Sequence, residues 1–348
     1  MKRVIIPTNN QVLLADPTVL SPLDSPDKIW HLYCWSLSGL LEFVSNEGKA
    51  WQFKGYVLSH TMHTEKTHIN LGDLGLQLPA LSKYAYHVMT NAEGYITASY
   101  RPYVLNHKGV YYLYYEEMIF FWKNKYFTDP ISKIKCIKST DLINWSEPVT
   151  IIEDTAEFTF IACPSIMFAD NKFTLFFSYD HELTNSSSLW EPKRIGYATS
   201  TNPDKGFTIQ SQIKVVDENG QQCNQIGSFR TRKIMDQDVF LCNPIIRNAN
   251  GITKSEIYFC DQISATEYQL QNKLVKESDF NKHKISDAYV ADIVNHNDHF
   301  YTYFNVRRRN DFFDGFTLNR GAFGIFLLVA RNVFFNREDI YLIQSQII

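Results

Sequence analysis

Three observations predict an all-β fold, a five-bladed β-propeller with four antiparallel strands in each blade. One pattern recurs five times: a residue followed by Pro, an alternating apolar stretch, a polar turn and an aromatic-rich strand. Each copy is followed by a second pair of strands around a polar turn that ends in an aromatic. The chain also carries 25 Phe, 20 Tyr and 6 Trp, side chains that favour pleated, half-buried surfaces over helices. Two hairpins per unit make a four-stranded sheet that cannot bury both faces alone, so such units are stabilised by radial stacking.

The first copy is Asp16-Pro17-Thr18-Val19-Leu20, a longer turn, then Trp30 to Trp35. The second is the clearest: Arg101-Pro102-Tyr103-Val104-Leu105, the turn Asn106-His107-Lys108-Gly109, then Val110 to Tyr115, a hairpin with a Gly-containing turn. Cys163 to Phe168, a turn at Ala169 to Lys172, and Phe173 to Tyr179 form the third. Asn243-Pro244-Ile245-Ile246 with Glu256 to Phe259 reads as the fourth. In the fifth, Val290 to Val294 pairs with His299 to Phe304, and Ala291 replaces the proline. The second strand pairs are plainest at Phe43 to Trp51, at Lys135 to Trp145 with Pro148 to Ile152, and at Ile195 to Phe207. Spacing between copies is uneven, and the longest insertion, about residues 59–97, separates the first two blades. It admits a short helix near Leu74 to Tyr86, against which Gly75 and Pro79 count. Residues 1–348 read as a single domain.

With 348 residues, 45% of them hydrophobic, the chain can bury a large core. The balance of 34 Lys plus Arg against 37 Asp plus Glu argues against nucleic acid as a partner. Six cysteines lie far apart with no C-x-x-C pair, as expected of thiols in a reducing compartment. The first residues, Met1 to Pro7, hold too few apolar side chains for a secretion signal. The longest apolar run, Ala322 to Phe335, is interrupted by Arg331 and Asn332 and is too short for a membrane span. The expectation is a soluble cytoplasmic protein with no membrane partner. His60, His63 and His68 have no metal-ligand spacing, so no metal and no cofactor are expected. Oligomeric state is left open.

The Asp-Pro and x-Pro openings, the hairpin NHKGVYYLYY and the turn KSTDLINW resemble the clan of five-bladed propeller glycosidases. That clan includes arabinanases, β-xylosidases, invertases and levansucrases, with glycoside hydrolase family 43 among them. The resemblance runs from about Gln11 to Ile348. It implies that the inner strand of each blade starts at the substrate-facing mouth of a central funnel and that the second strand ends there. On that basis the mouth holds Asp16, Arg101, Cys163, Asn243 and the segment Asp287 to Asp292 at inner-strand starts. Trp35, Glu116, Glu117, Asp180, His181, Glu182, Asp261 and Arg307 stand at second-strand ends.

The resemblance makes Asp16 the first-blade carboxylate, general base in inverting members and nucleophile in retaining ones. Glycosidic chemistry needs a second carboxyl that stays protonated for the leaving oxygen. Here the sequence departs from the clan. The third-blade Asp and fourth-blade Glu of arabinanase-like members fall on Cys163 and Cys242, and the two positions of invertase-like members fall on Arg101 and Ala162. The acid must therefore come from elsewhere at the mouth. Glu116 and Glu117 are the first candidates, and strand alternation allows only one to point inward. Asp292 follows them. Trp35, Arg101, Tyr103, Asp180, His181, Asp287 and Arg307 are candidate substrate contacts. Arginine forks at Arg101, Arg230, Arg232 and Arg307 to Arg309 suit carboxylates and phosphates.

The function so implied is a carbohydrate-active enzyme, a glycoside hydrolase acting on an oligosaccharide or glycoside through paired carboxylates in the funnel. A glycoside phosphorylase or transglycosylase on the same scaffold is a second reading. A non-catalytic carbohydrate-binding propeller, for which Cys163 and Cys242 argue, is a third.

Overall fold

The computed structural model describes residues 2–3, 14–74, 86–88, 90–124, 126–128, 130–180, 193–247, 253–276, 278, 287–307 and 338–346. Strands dominate and form five sheets, I to V. Sheet I runs Ala15–Leu20, Trp30–Ser36, Gly39–Ser45 and Gln52–Ser59, each strand antiparallel to the next. Sheet II is built on Glu93–His107, Val110–Lys123, Ile131–Ser139 and Val149–Glu153. Sheet III is Thr159–Ala169, Lys172–Asp180, Lys193–Ser200 and Thr208–Gln212. Sheet IV starts from Ile226–Ile234, Gln237–Arg247, Tyr258–Ser264 and Glu267–Lys273, and Lys214–Val216 adds a parallel outer strand. Sheet V takes Asp287–His296, His299–Arg307 and Glu338–Gln346, and Lys2–Arg3 from the other end of the chain pairs outside them.

The inner strands of the five sheets touch in cyclic order, I to II to III to IV to V and back to I. Sheets stacked face to face around such an axis make an all-β propeller. The hydrophobic core is correspondingly divided into wedges between neighbouring sheets. Cys34, Trp30 and Phe43 of sheet I meet Tyr301, Tyr303 and Leu342 of sheet V, and Tyr103 and Tyr114 of sheet II meet Ile166 and Phe177 of sheet III. Burying each such side chain contributes roughly 1.5 to 3 kcal/mol. The aromatics that follow the polar turns complete the wedges. Trp51 meets the Tyr303 ring edge-on at 5.8 Å, and Trp145 meets Tyr33 at 6.1 Å. The KSTDLINW turn is locked locally: Asp141 Oδ1 accepts from the amides of Ile143 and Asn144, both at 2.8 Å.

Four inner hairpins turn on two residues with positive φ: Lys108-Gly109, Asp170-Asn171, Met235-Asp236 and Asn297-Asp298. These are the left-handed two-residue turns that match strand twist. Asn and Gly announce three of them. Met235-Asp236 carries no such signal, and here the sequence expectation is corrected. The inner strand of sheet IV is Ile226–Ile234, and Asn243-Pro244 lies in the second strand, Gln237–Arg247. The inner strand was hidden because the buried Arg230 and Thr231 and the half-buried Arg232 stand in its middle and break the apolar alternation. Asn243 is thus not at an inner-strand start. The clan's fourth-blade glutamate position moves from Cys242 to Ile226, which is no acid either.

The insertion between sheets I and II forms further strands. Thr61–Thr64 pairs with the start of Glu93–His107, and His68–Asn70 pairs with Thr61–Thr64. A four-residue helix, Leu71–Leu74, follows, and most of the expected helix from Leu74 to Tyr86 lies outside the described residues. Among the described residues no helix is long and apolar enough to cross a membrane. None of the six cysteines forms a disulfide.

Two arginines of sheet IV occupy the axis. Arg232 donates from Nε to Asp292 Oδ1 at 2.6 Å and from Nη2 to Asp292 Oδ2 at 2.5 Å, a bidentate pair with the inner strand of sheet V. The same guanidinium reaches Val104 O in sheet II at 2.6 Å and Thr18 Oγ1 in sheet I at 2.9 Å. Asp292 in turn accepts from Thr18 Oγ1 and from the Val19 amide, both at 2.8 Å. Arg230 donates from Nη1 to the carbonyls of Pro102 and Pro164, at 3.1 and 3.0 Å. Both arginines stack on the Tyr103 ring, at 5.4 and 4.4 Å. Between them the two side chains tie sheet IV to the other four inner strands.

Breaking a buried ion pair from one side leaves the other charge uncompensated. Asp292→Asn is therefore expected to lower stability by roughly 3 to 5 kcal/mol. Urea unfolding would measure this, and Glu117→Gln, which breaks only a pair with Lys135, should cost far less.

Candidate active site

Each inner strand carries a bulge at its equivalent point, where one extra residue is inserted against the second strand. In four sheets a non-glycine residue there has positive φ: Asp16 at 56°, Arg101 at 49°, Cys163 at 52° and Val290 at 41°. Sheet IV has Gly227 in its bulge. Such backbone costs on the order of 1 to 3 kcal/mol per residue and gathers at functional sites. The bulges re-aim these side chains, so Asp16, Arg101 and Cys163 form one tier of the ring.

Asp16 is buried, and its environment comes from three sheets. Oδ2 accepts from Trp35 Nε1 at 2.5 Å, within sheet I. Its amide donates to Asn305 Oδ1 of sheet V at 3.0 Å, which holds the strained backbone in place. Arg101 Nε of sheet II lies 3.7 Å from Oδ2. The same guanidinium donates from Nη1 to Glu116 Oε2 at 2.5 Å. Burial pushes the Arg101 guanidinium towards neutrality, but the charges of Glu116, Cys163 and Asp16 outweigh it and hold its pKa well above the usual arginine value. Asp16 and Glu116 are thus bridged by one cation, which keeps their carboxyl oxygens within about 9 Å of each other, under the upper limit for glycosidase carboxylate pairs. Glu116 is fully buried, and Oε1 has no hydrogen-bond partner among the described residues.

Trp35 and Tyr100 meet edge-on at 4.8 Å beside this pair, both half-buried. Behind Tyr100 stands His60, 5.2 Å from its ring. His60 Nε2 lies 2.8 Å from Ser99 O and Nδ1 3.2 Å from Leu37 O. A neutral imidazole donates only one of these bonds. Burial pushes the His60 pKa down to about 4 despite both carbonyls.

The structure brings Asp16, Trp35, Arg101 and Glu116 together, as the sequence suggested. Strand alternation separates the two glutamates: Glu117 points the other way and pairs with Lys135 Nζ at 2.8 Å. Asp292 is corrected from candidate acid to structural tie, because both of its oxygens are taken by Arg232, Thr18 and backbone amides. Tyr103 is likewise internal: it is buried, and its hydroxyl donates to Thr231 O at 2.5 Å. Asp287 Oδ1 accepts from the Ser255 amide at 3.0 Å and so joins sheets V and IV. Arg307 faces Asp287 across the strand pair, with its guanidinium 5.3 Å from the Tyr289 ring. Asp180 ends the second strand of sheet III, where its carbonyl accepts from Thr159 Oγ1 at 2.8 Å. His181, with Glu182, Arg308 and Arg309, lies outside the described residues. Among the described residues no group of three or more His, Cys, Asp or Glu is arranged to hold a metal ion.

Sequence reasoning missed Asn305, which was accessible through register: it pairs with Tyr289, which precedes the bulge residue Val290.

The sequence matches no protein-family model and no curated protein. Solved structures do match, and the likeness is one of fold. An N-acetylgalactosamine deacetylase from F. plautii, in complex with blood group B trisaccharide, superposes with a TM-score of 0.59 at 8% identity, over 99% of this chain and 94% of that one. An α-L-arabinofuranosidase from Podospora anserina, in complex with cellotriose, gives 0.53 at 10% identity over 99% and 95%. A sucrose-6-phosphate hydrolase from Lactobacillus gasseri gives 0.55 at 13% identity over 89% of this chain and 57% of its own. The expected all-β propeller is the fold found.

His60 supplies a pH test. Its folded pKa lies below the ordinary value near 6.5, so its stability contribution is full above about pH 6.5 and is lost as pH falls towards 4. Thermal unfolding of the parent should shift downward across that window more steeply than unfolding of His60→Gln.

Proposed function

We propose that the protein is a single-domain, five-bladed propeller whose axial funnel hydrolyses glycosidic bonds, each of sheets I to V being one blade. The cyclic contact of five inner strands and the shared bulge support the blade count. The observation that carries the activity is the bridged carboxylate pair. Asp16 acts as base or nucleophile. It accepts from Trp35 and sits beside the Arg101 guanidinium. Glu116 acts as the acid: Oε2 is engaged by Arg101, and Oε1, buried while the bridge is closed, meets the leaving group once substrate loosens it. Trp35 and Tyr100 offer aromatic surface for a sugar ring. Fold neighbours that are an arabinofuranosidase and a sucrose-6-phosphate hydrolase support carbohydrate as the substrate class.

One observation favours the non-catalytic reading instead. Arg101 engages both carboxylates at once, which suits a sugar-binding pocket as well as a resting enzyme. Catalysis requires the bridge to loosen when substrate binds.

Aryl glycosides and oligosaccharides distinguish the two readings. Asp16→Asn is expected to lower turnover by about 10² to 10⁴ with the fold retained. Glu116→Gln should slow substrates with poor leaving groups far more than an activated aryl glycoside, which needs little protonation. Full activity of Asp16→Asn would remove Asp16 from the mechanism. Equal losses on both substrates would remove Glu116 as the acid, and sugar binding without any turnover by the parent would leave the binding reading.

A further inference from the structure

The axis holds one charge that, among the described residues, no carboxylate meets in a hydrogen bond or ion pair, although Asp292 and Asp16 act on it from a distance. Arg101 is met by Asp16 and Glu116, and Arg232 by Asp292. Arg230 is 1% exposed, and the partners of its guanidinium are two backbone carbonyls, Pro102 O and Pro164 O, both on Nη1. Nε and Nη2 have no hydrogen-bond partner among the described residues. An arginine does not shed its proton in a protein, so the charge persists. A buried charge with unmade hydrogen bonds is among the costliest features a fold can carry.

The two unpartnered nitrogens are not scattered. Nε and Nη2 form one edge of the planar guanidinium and carry three of its five N–H groups, the edge that grips an anion side-on with two parallel bonds. The carbonyls on the opposite side fix the plane of the group. They belong to the residues directly after Arg101 and Cys163, so the fork lies one residue below the tier that holds Asp16. Tyr103 closes one face, 5.4 Å from the guanidinium carbon.

We infer that the fork of Arg230 is a binding site for a small inorganic anion of the halide class, held on the propeller axis beneath the carboxylate pair. Neither nitrogen is in contact with solvent, so a carboxylate or phosphate carried on a sugar cannot reach it, whereas a monatomic ion taken up as the ring closes can. The ion supplies the missing counter-charge and receives the N–H groups that the protein leaves over. This site is independent of the glycosidase reading, because it is argued from the axis and not from the reaction.

Bromide is the probe. Crystals of the full chain grown with sodium bromide should show an anomalous peak within hydrogen-bond reach of Arg230 Nε and Nη2. In solution, at ionic strength held constant with sodium gluconate, the melting midpoint should rise by about 2 °C per tenfold rise in bromide above saturation. Arg230→Lys keeps a cation able to reach the two carbonyls but has no fork, and it should lose that dependence. A water in place of the peak overturns the site, as does an equal bromide response in parent and variant. If the variant does not fold, the anomalous map of the parent decides alone.

Discussion

The bidentate pair between Arg232 and Asp292 is the constraint on which the rest depends. A propeller buries its sheet faces against neighbours, but dispersion and hydrophobic burial have no preference for angle and tolerate sliding. Inner strands that converge on an axis also bring backbone groups and side chains together where water cannot serve them. In this chain a carboxylate from sheet V, a hydroxyl from sheet I, a carbonyl from sheet II and a guanidinium from sheet IV satisfy one another within hydrogen-bond distance. Such a network has one geometry in which every member is satisfied, and a half-satisfied version is worse than an apolar plug. Register around the ring is fixed by this requirement.

The site is built on that fixed ring. Thr18, which binds both Asp292 and Arg232, is two residues from Asp16, and Val104, whose carbonyl receives Arg232, is three residues from Arg101. The axial network therefore sets the height at which each bulge projects its side chain. Asn305 contributes from the same strand pair that carries Asp292 and holds the amide of Asp16. Displacing the network would move Asp16 relative to Glu116, although no member of it needs to touch a substrate.

Most of the architecture was legible in the sequence because its punctuation is chemical. Asp16-Pro17, Arg101-Pro102 and Cys163-Pro164 mark bulges, and Lys108-Gly109 and Asn297-Asp298 mark turns that demand positive φ. Sheet IV was misplaced for the opposite reason: Met235-Asp236 adopts the same turn without the usual residues, and Arg230 and Arg232 sit where an alternating strand should show apolar side chains. The pairing of Asp16 with Glu116 was legible through strand ends and alternation. The role of Asp292 was not. A carboxylate two residues past a bulge reads the same whether it faces a substrate or a buried arginine, and only the partner's position, which the misplaced strand concealed, tells the two apart.

The departure from the clan's acid positions has a local physical explanation. Where invertase-like members carry an acidic residue before the second-blade proline, this chain carries Arg101, which reverses the charge at that point of the ring. A lone cation there would draw Asp16 into a fixed ion pair and leave the rest of its charge buried. Glu116, paired in register with the residue just before Arg101, returns the negative charge from the adjacent strand and shares the guanidinium at 2.5 Å. The adjacent strand thus supplies a carboxyl, and Arg101 bridges it to Asp16. On this view Arg101 and Glu116 are one unit. Removing Arg101 leaves Glu116 a buried charge beside Asp16, removing Glu116 leaves Arg101 to pair with Asp16, and removing both takes the two charges away together while Trp35 and Asn305 still hold Asp16.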